Sequence, residues 1–194
     1  MLEIVGTLIF ILNDIGFIYT KSAPSWLALD YGGRIIVLGM IAYKLKNGSL
    51  SLERLGIQKL DFHTYVTYTF FMTLIGLFLI LYIEDLIYSG GFLKFPEIKN
   101  QALFLFDLTF GITLVALSEE LLFRGLIYNR LKKHKILLSS ILFGLIHWGA
   151  GLDAVVIAIP IGMMFAYSYK DSGSILPALS AHFLIDFFLF SGLI

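Results

Sequence analysis

The chain has 194 residues, of which 58% are apolar or aromatic and 14% charged, and its mean hydropathy is +0.88. Soluble domains carry about a quarter charged residues and somewhat under half apolar ones, so a wetted surface all round is excluded, and so is disorder, which needs low hydrophobicity and high net charge. Fourteen Lys and Arg balance fourteen Asp and Glu, which leaves no basic field for nucleic acid, and the absence of cysteine removes disulfides, thiolate nucleophiles and Cys-based zinc sites.

What remains is an all-α, polytopic transmembrane bundle. At roughly 20 residues per crossing, the length gives about seven spans in a single domain over residues 1–194. A first span is predicted over Leu2–Tyr19, interrupted by Asn13 and Asp14. It lacks a basic n-region and a small-residue cleavage site, so it reads as a retained span. A second covers Leu29–Tyr43, with Asp30 and Arg34 one helical turn apart and able to pair. The clearest is the third, Thr64–Ile83, twenty residues without a formal charge. Ser51–Ile57 has the pattern of a small interfacial helix, and Asp85–Asn100 is long enough to hold extra structure. The fourth span runs from Ala102 past Glu119 and Glu120 to Leu131, and the fifth from Ile136 to Trp148. A sixth, Ala154–Tyr169, contains Pro160 as a predicted kink. The seventh starts at Ile175, with Pro177 tolerated in its first turn. Gly144, Gly149, Gly151 and Gly162 are predicted to let helices approach closely. Phe183, Phe187, Phe188 and Phe190 read as lipid-facing or packing surface.

Basic residues set the expected orientation. Ten of them (Lys44, Lys46, Arg54, Lys59, Arg124, Arg130, Lys132, Lys133, Lys135 and Lys170) fall on one side of the seven spans, and Lys21, Arg34, Lys94 and Lys99 on the other. The positive-inside rule makes the richer side cytoplasmic, with the N-terminus inside.

Ionisable groups inside a bilayer cost about 2.5–3.5 kcal/mol each on insertion scales and are functional candidates by default. They concentrate in the last 80 residues or so: Glu119 and Glu120 on span four, His147 on span five, His182 and Asp186 on span seven. Glu119 precedes Arg130 by eleven residues, while His147 and His182 follow Lys135 and Lys170 by twelve. At about 1.5 Å per residue each lies roughly 16–18 Å below the boundary, near mid-membrane. Asp186 shares a helix face with His182, Phe143 shares one with His147, and Glu120 and Arg124 are spaced to pair. His63 and His134 read as solvated, and Asp14 and Asp107 as buried without an evident partner.

A carboxylate facing two imidazoles can activate water, with the acid taking the proton and a His or a metal orienting the nucleophile. His182 with Asp186 could hold the oxyanion. Zinc held by Glu119, His147 and His182 is one form of such a site, and a metal-free carboxylate is the other.

Glu119-Glu120-Leu121-Leu122-Phe123-Arg124 resembles the E-E-x-x-x-R motif of the CPBP intramembrane proteases, which include the type II CAAX prenyl endopeptidases and the bacteriocin-processing or Abi proteins. Phe143-Gly144-Leu145-Ile146-His147 resembles their F-x-x-x-H motif, and His182-Phe183-Leu184-Ile185-Asp186 a variant of their H-x-x-x-N. The resemblance covers the family-like core of about 102–194 and implies an intramembrane endopeptidase of the cytoplasmic membrane or an endomembrane, opening to the cytoplasm, that acts on a peptide or membrane-protein substrate. It implies Glu119 as the water-activating base, assisted by His147. His182 and Asp186 fall on the oxyanion or metal positions, and Glu120 and Arg124 on supporting ones. The sequence departs at Asp186: where the prenyl endopeptidases usually have Asn, an ionised Asp repels an oxyanion rather than donating to it.

Two other classes compete. A non-proteolytic immunity or scaffold protein would keep the same residues for structure. A proton-coupled transporter would use them as a relay, but the paired repeats common in transporters are missing from the sequence. The sequence does not specify an oligomeric state.

Overall fold

The computed structural model describes residues 2–83, 90–94 and 96–193, and among these the chain is helical with no strand. Seven helices follow one another among the described residues: α1 (Leu2–Phe17), α2 (Ala23–Lys46), α3 (Phe62–Phe78, continued by a π turn at Leu79–Ile83), α4 (Gln101–Tyr128), α5 (Lys135–Leu145), α6 (Leu152–Ser172) and α7 (Leu176–Ser191). α2, α3, α4 and α6 are long and apolar enough to cross a membrane, while α5 and α7 are shorter. The expected extra structure in Asp85–Asn100 lies partly outside the described residues, and Ser51–Ile57 forms only a short 3-10 turn, Glu53–Leu55.

Local chemistry explains the ends. α2 begins at Ala23, six residues earlier than predicted, because the Ser22 hydroxyl accepts from the Ser25 N–H and Pro24 fits the first turn. Asp61 caps α3 by accepting the Thr64 N–H at 2.9 Å, and Asn100 caps α4 through Leu103. The Thr64 contacts hold the Asp61 carboxyl below its usual range. Pro160 lies inside α6 as expected, and Gly173, with φ of 71°, ends that helix.

α5 and α6 form an antiparallel hairpin in close contact. A Cβ on Gly144 would meet the Val155 carbonyl oxygen at 2.9 Å, and one on Gly162 would lie 3.3 Å from the Ser140 Cα. Lipid supplies no hydrophobic drive between helices, so small residues that allow this approach hold the pair together. Gly149 instead packs against Leu93, and Gly151 occupies φ of 132° in a turn, so close helix packing accounts for only two of the four glycines.

Two apolar cores fill the bundle. Phe10, Val37, Ile41, Leu122, Phe123 and Phe143 form one across α1, α2, α4 and α5; Met72, Ile157, Phe165, Ala178 and Ile185 join α3, α6 and α7. Outward-facing Ile35, Ile36, Phe70, Phe71 and Leu74 are exposed, which suits a lipid solvent. Phe190 joins that outer surface, whereas Phe183, Phe187 and Phe188 are half-buried.

One end of the bundle gathers the basic segments. Asn129 donates to the Arg54 carbonyl (2.8 Å) and to the Tyr169 hydroxyl (2.7 Å), the Gln58 amide donates to the Gly173 carbonyl, and the Lys135 ammonium lies 5.3 Å from the Tyr128 ring centre. Two residues used as orientation markers do not belong there: Arg124 is fully buried, and the Arg34 side chain is only 14% exposed. Both lie inside the bundle because each pairs with a buried acid. With them withdrawn, nine basic residues remain on one side of the predicted spans and three on the other.

Candidate active site

Glu119 and Glu120 end the regular part of α4, immediately before a π segment over Leu121–Tyr128 that carries Arg124. Such π stretches re-aim side chains and often mark functional sites. Glu119 is 3% exposed and Glu120 and Arg124 are fully buried. The Arg124 Nε stands 3.1 Å from Glu120 Oε2, the ion pair that the i,i+4 spacing predicts. The guanidinium lies over the rings of Phe143 (4.4 Å) and Phe165 (5.4 Å), and one Nη donates to the Gly162 carbonyl. These contacts compensate part of the cost of burying a cation.

His182, on α7, contacts all three carboxylates. Its Nδ1 is 3.1 Å from Glu120 Oε1; its Nε2 is 3.5 Å from Asp186 Oδ2 and 4.0 Å from Glu119 Oε2. An ionised Glu120 can only accept, so it fixes a hydrogen on Nδ1. Glu119 Oε2 is buried and has no hydrogen-bond partner.

His147 is placed differently from the prediction. α5 stops at Leu145, and its eleven residues extend only about 16 Å. His147 follows it in a turn, ahead of the 3-10 turn Trp148–Ala150, so the fifth span is a half-span that ends at the depth of the site. Irregular backbone survives at membrane depth only when its polar groups are satisfied within the protein. Here the Leu93 N–H donates to the Gly149 carbonyl at 2.8 Å, and the Ala150 N–H to the His147 carbonyl. His147 Nδ1 contacts the Phe143 carbonyl at 2.8 Å. A carbonyl only accepts, so Nδ1 carries the hydrogen and Nε2 presents a lone pair. The Phe143 ring stands between the two imidazoles, 4.8 Å from His147 and 5.8 Å from His182.

Thus Glu119, Glu120, Arg124, His182 and Asp186 form one connected cluster, with His147 joined to it through Phe143. His63 and His134 are exposed, as expected. Asp107, expected to lack a partner, accepts the Tyr31 hydroxyl at 2.6 Å.

Sequence reasoning missed Arg34 as a site residue. Its Nη1 donates to Glu119 Oε1 at 2.8 Å and to the Ser118 hydroxyl at 3.2 Å, and its Nε to both Asp30 oxygens at 3.0 Å. The available signal was an arginine in the middle of an apolar span. The Asp30 pairing was legible, but the longer-range partner, 85 residues away, was not.

Among the described residues, no group of three His, Asp or Glu side chains is placed to hold a metal ion. Glu119 is committed to Arg34 through Oε1, and His182 to Glu120 through Nδ1. These commitments leave Glu119 Oε2 unpartnered and His147 Nε2 with its lone pair.

Apolar helices surrounding a buried cluster of acids, imidazoles and arginines define a multi-pass integral membrane protein with an internal polar site. Residues 100–188 match the family model of the Rce1-like proteins, described as type II CAAX prenyl endopeptidases. The match contains all three motifs, bears out the resemblance to the CPBP group and supports a protease; residues 1–99 lie outside it. No curated protein matches the chain, and no solved structure does.

Proposed function

We propose that this protein is an intramembrane endopeptidase that hydrolyses a peptide bond with water activated by Glu119. The observation that carries the reading is the free, buried Glu119 Oε2 facing His182 Nε2 across 4.0 Å. That separation is too long for a direct hydrogen bond, so Glu119 Oε2 is left uncommitted for a water that enters with the substrate. Glu119 Oε2 takes the proton of the attacking water and later returns it to the leaving amine. Asp186 orients His182. His147, whose Nε2 keeps its lone pair, aids the proton transfers. Glu120 and Arg124 fix the ring of His182 from behind.

Access is supported by an open cleft of about 470 Å³ between α3, α4 and α7, lined by Thr69, Thr113, Leu117, Ser180 and Phe183. Leu117 lies one turn before Glu120 and Phe183 follows His182, so the cleft runs along the two helices that carry Glu119, Glu120 and His182. The uneven basic residues support a cytoplasmic face at the basic end.

Purified protein in lipid vesicles, given a farnesylated C-a-a-X peptide and its unprenylated counterpart, tests the activity. Release of the C-terminal tripeptide from at least one is expected, at a rate unaffected by 1,10-phenanthroline. No cleavage of either peptide contradicts the reading. Loss on chelation with recovery on adding zinc contradicts its metal-free form.

A further inference from the structure

Attack on a peptide carbonyl needs a donor for the oxyanion as well as a base, and most groups around Glu119 Oε2 are unsuited to supply one. Asp186 and Glu120 are acceptors when ionised. His147 has its hydrogen on Nδ1, turned to the Phe143 carbonyl. His182 has Nδ1 engaged by Glu120, and its Nε2 faces two carboxylates. Arg124 is fully buried behind Phe143 and Phe165.

Arg34 differs from all of these. Asp30 grips its Nε, and Asp30 is itself touched by the Asn13 amide at 3.4 Å. Gly33 makes room for Asn13: a Cβ there would lie 3.2 Å from the Asn13 side chain. The guanidinium rests 5.2 Å from the Phe10 ring centre. Nη1 is spent on Glu119 and Ser118. Nη2 makes no hydrogen bond to any described residue and is not among the sealed, unpartnered atoms. A clamped cation beside the base therefore keeps one nitrogen free and accessible.

We propose that Arg34, supplied by the α1–α2 hairpin outside the matched segment, is a further catalytic residue that fixes Glu119 through Nη1 and donates from Nη2 to the oxyanion. The proposal rests on the hydrolytic reading above. Water oxygen bonds to the carbonyl carbon while its proton passes to Glu119 Oε2. The carbonyl electron pair moves onto oxygen, which accepts the Nη2 hydrogen bond. On collapse the C–N bond breaks and the amine leaves with the proton held by Glu119.

Arg34→Gln, Arg34→Lys and the Arg34→Gln/Asp186→Asn double variant test it in vesicles with whichever peptide the wild type cleaves. Removing one oxyanion donor costs about 10²–10³ in kcat. Arg34→Gln is expected to lose that much, with KM within about threefold. A peptide aldehyde of the same sequence, which binds as a tetrahedral adduct, should weaken by a similar factor. Arg34→Lys keeps a charge beside Glu119 without the fork, so it should keep the wild-type melting temperature in detergent and recover only part of kcat. It serves as the decisive variant if Arg34→Gln fails to fold. The double variant should stay as slow as Arg34→Gln.

Wild-type kcat in both single variants overturns the proposal. So does unchanged aldehyde affinity alongside a lost kcat, which leaves Arg34 a positioning role only, and so does recovery of activity in the double variant. Failure of the underlying reading is distinct: there the wild type itself cleaves neither peptide.

Discussion

Glu120 and Arg124 face each other where water does not reach, and neither can lose the other cheaply. Removing one member of a buried ion pair costs about 3–5 kcal/mol, because the survivor is left uncompensated. Arg124→Met is therefore expected to lower the melting temperature of the detergent-solubilised protein sharply. Arg124→Met combined with Glu120→Gln should recover part of that loss, since no charge is then stranded. A double variant no more stable than Arg124→Met contradicts the pairing. Tyr31→Phe is a smaller case. It leaves the half-buried Asp107 carboxylate without its 2.6 Å donor and should cost about 1–3 kcal/mol in the same assay. The pairs Glu120–Arg124, Asp30–Arg34 and His182–Asp186 were legible because each is four residues apart on one helix. Arg34–Glu119 and Tyr31–Asp107 were not, because single-sequence spacing says nothing about which face of α2 meets α4.

α5 and α6 make their contact through glycines, and the prediction follows from the space available. A Cβ on Gly144 would sit 2.5 Å from the Ile159 side chain and 2.9 Å from a backbone oxygen that cannot swing away. Gly144→Ala should therefore destabilise by about 1–3 kcal/mol, the usual cost of overpacking. Gly39 on α2 has nothing within 4 Å of its would-be Cβ, so Gly39→Ala should be neutral or stabilising by up to about 1 kcal/mol. Equal melting temperatures for the two variants contradict this account of the hairpin. The cap of α3 has a pH signature. Because the folded-state value for Asp61 is depressed, its contribution is present above the ordinary carboxylate range and is lost as pH falls through the lowered value. Hydropathy located each helix, but not where α5 stops. The half-span depends on backbone bonds to residues near Leu93, a contact about 55 residues away that no local period encodes.

Across the whole molecule, the segment with the family match supplies Glu119, the imidazoles and the Glu120–Arg124 ion pair, while the unmatched N-terminal hairpin supplies the guanidinium that grips Glu119. Composition alone defined the helical membrane class, and the depth estimate correctly brought Glu119 and His182 together from separate helices. It expected His147 on the fifth helix, which stops at Leu145, since equal counts from basic residues say nothing of local conformation. The most direct measurement is peptide hydrolysis by vesicle-reconstituted Glu119→Gln at matched protein and unchanged melting temperature. With the carboxylate replaced by an amide of nearly the same shape, turnover should fall at least about a thousandfold, in the range of a general base's usual contribution. Turnover within tenfold of wild type contradicts the account.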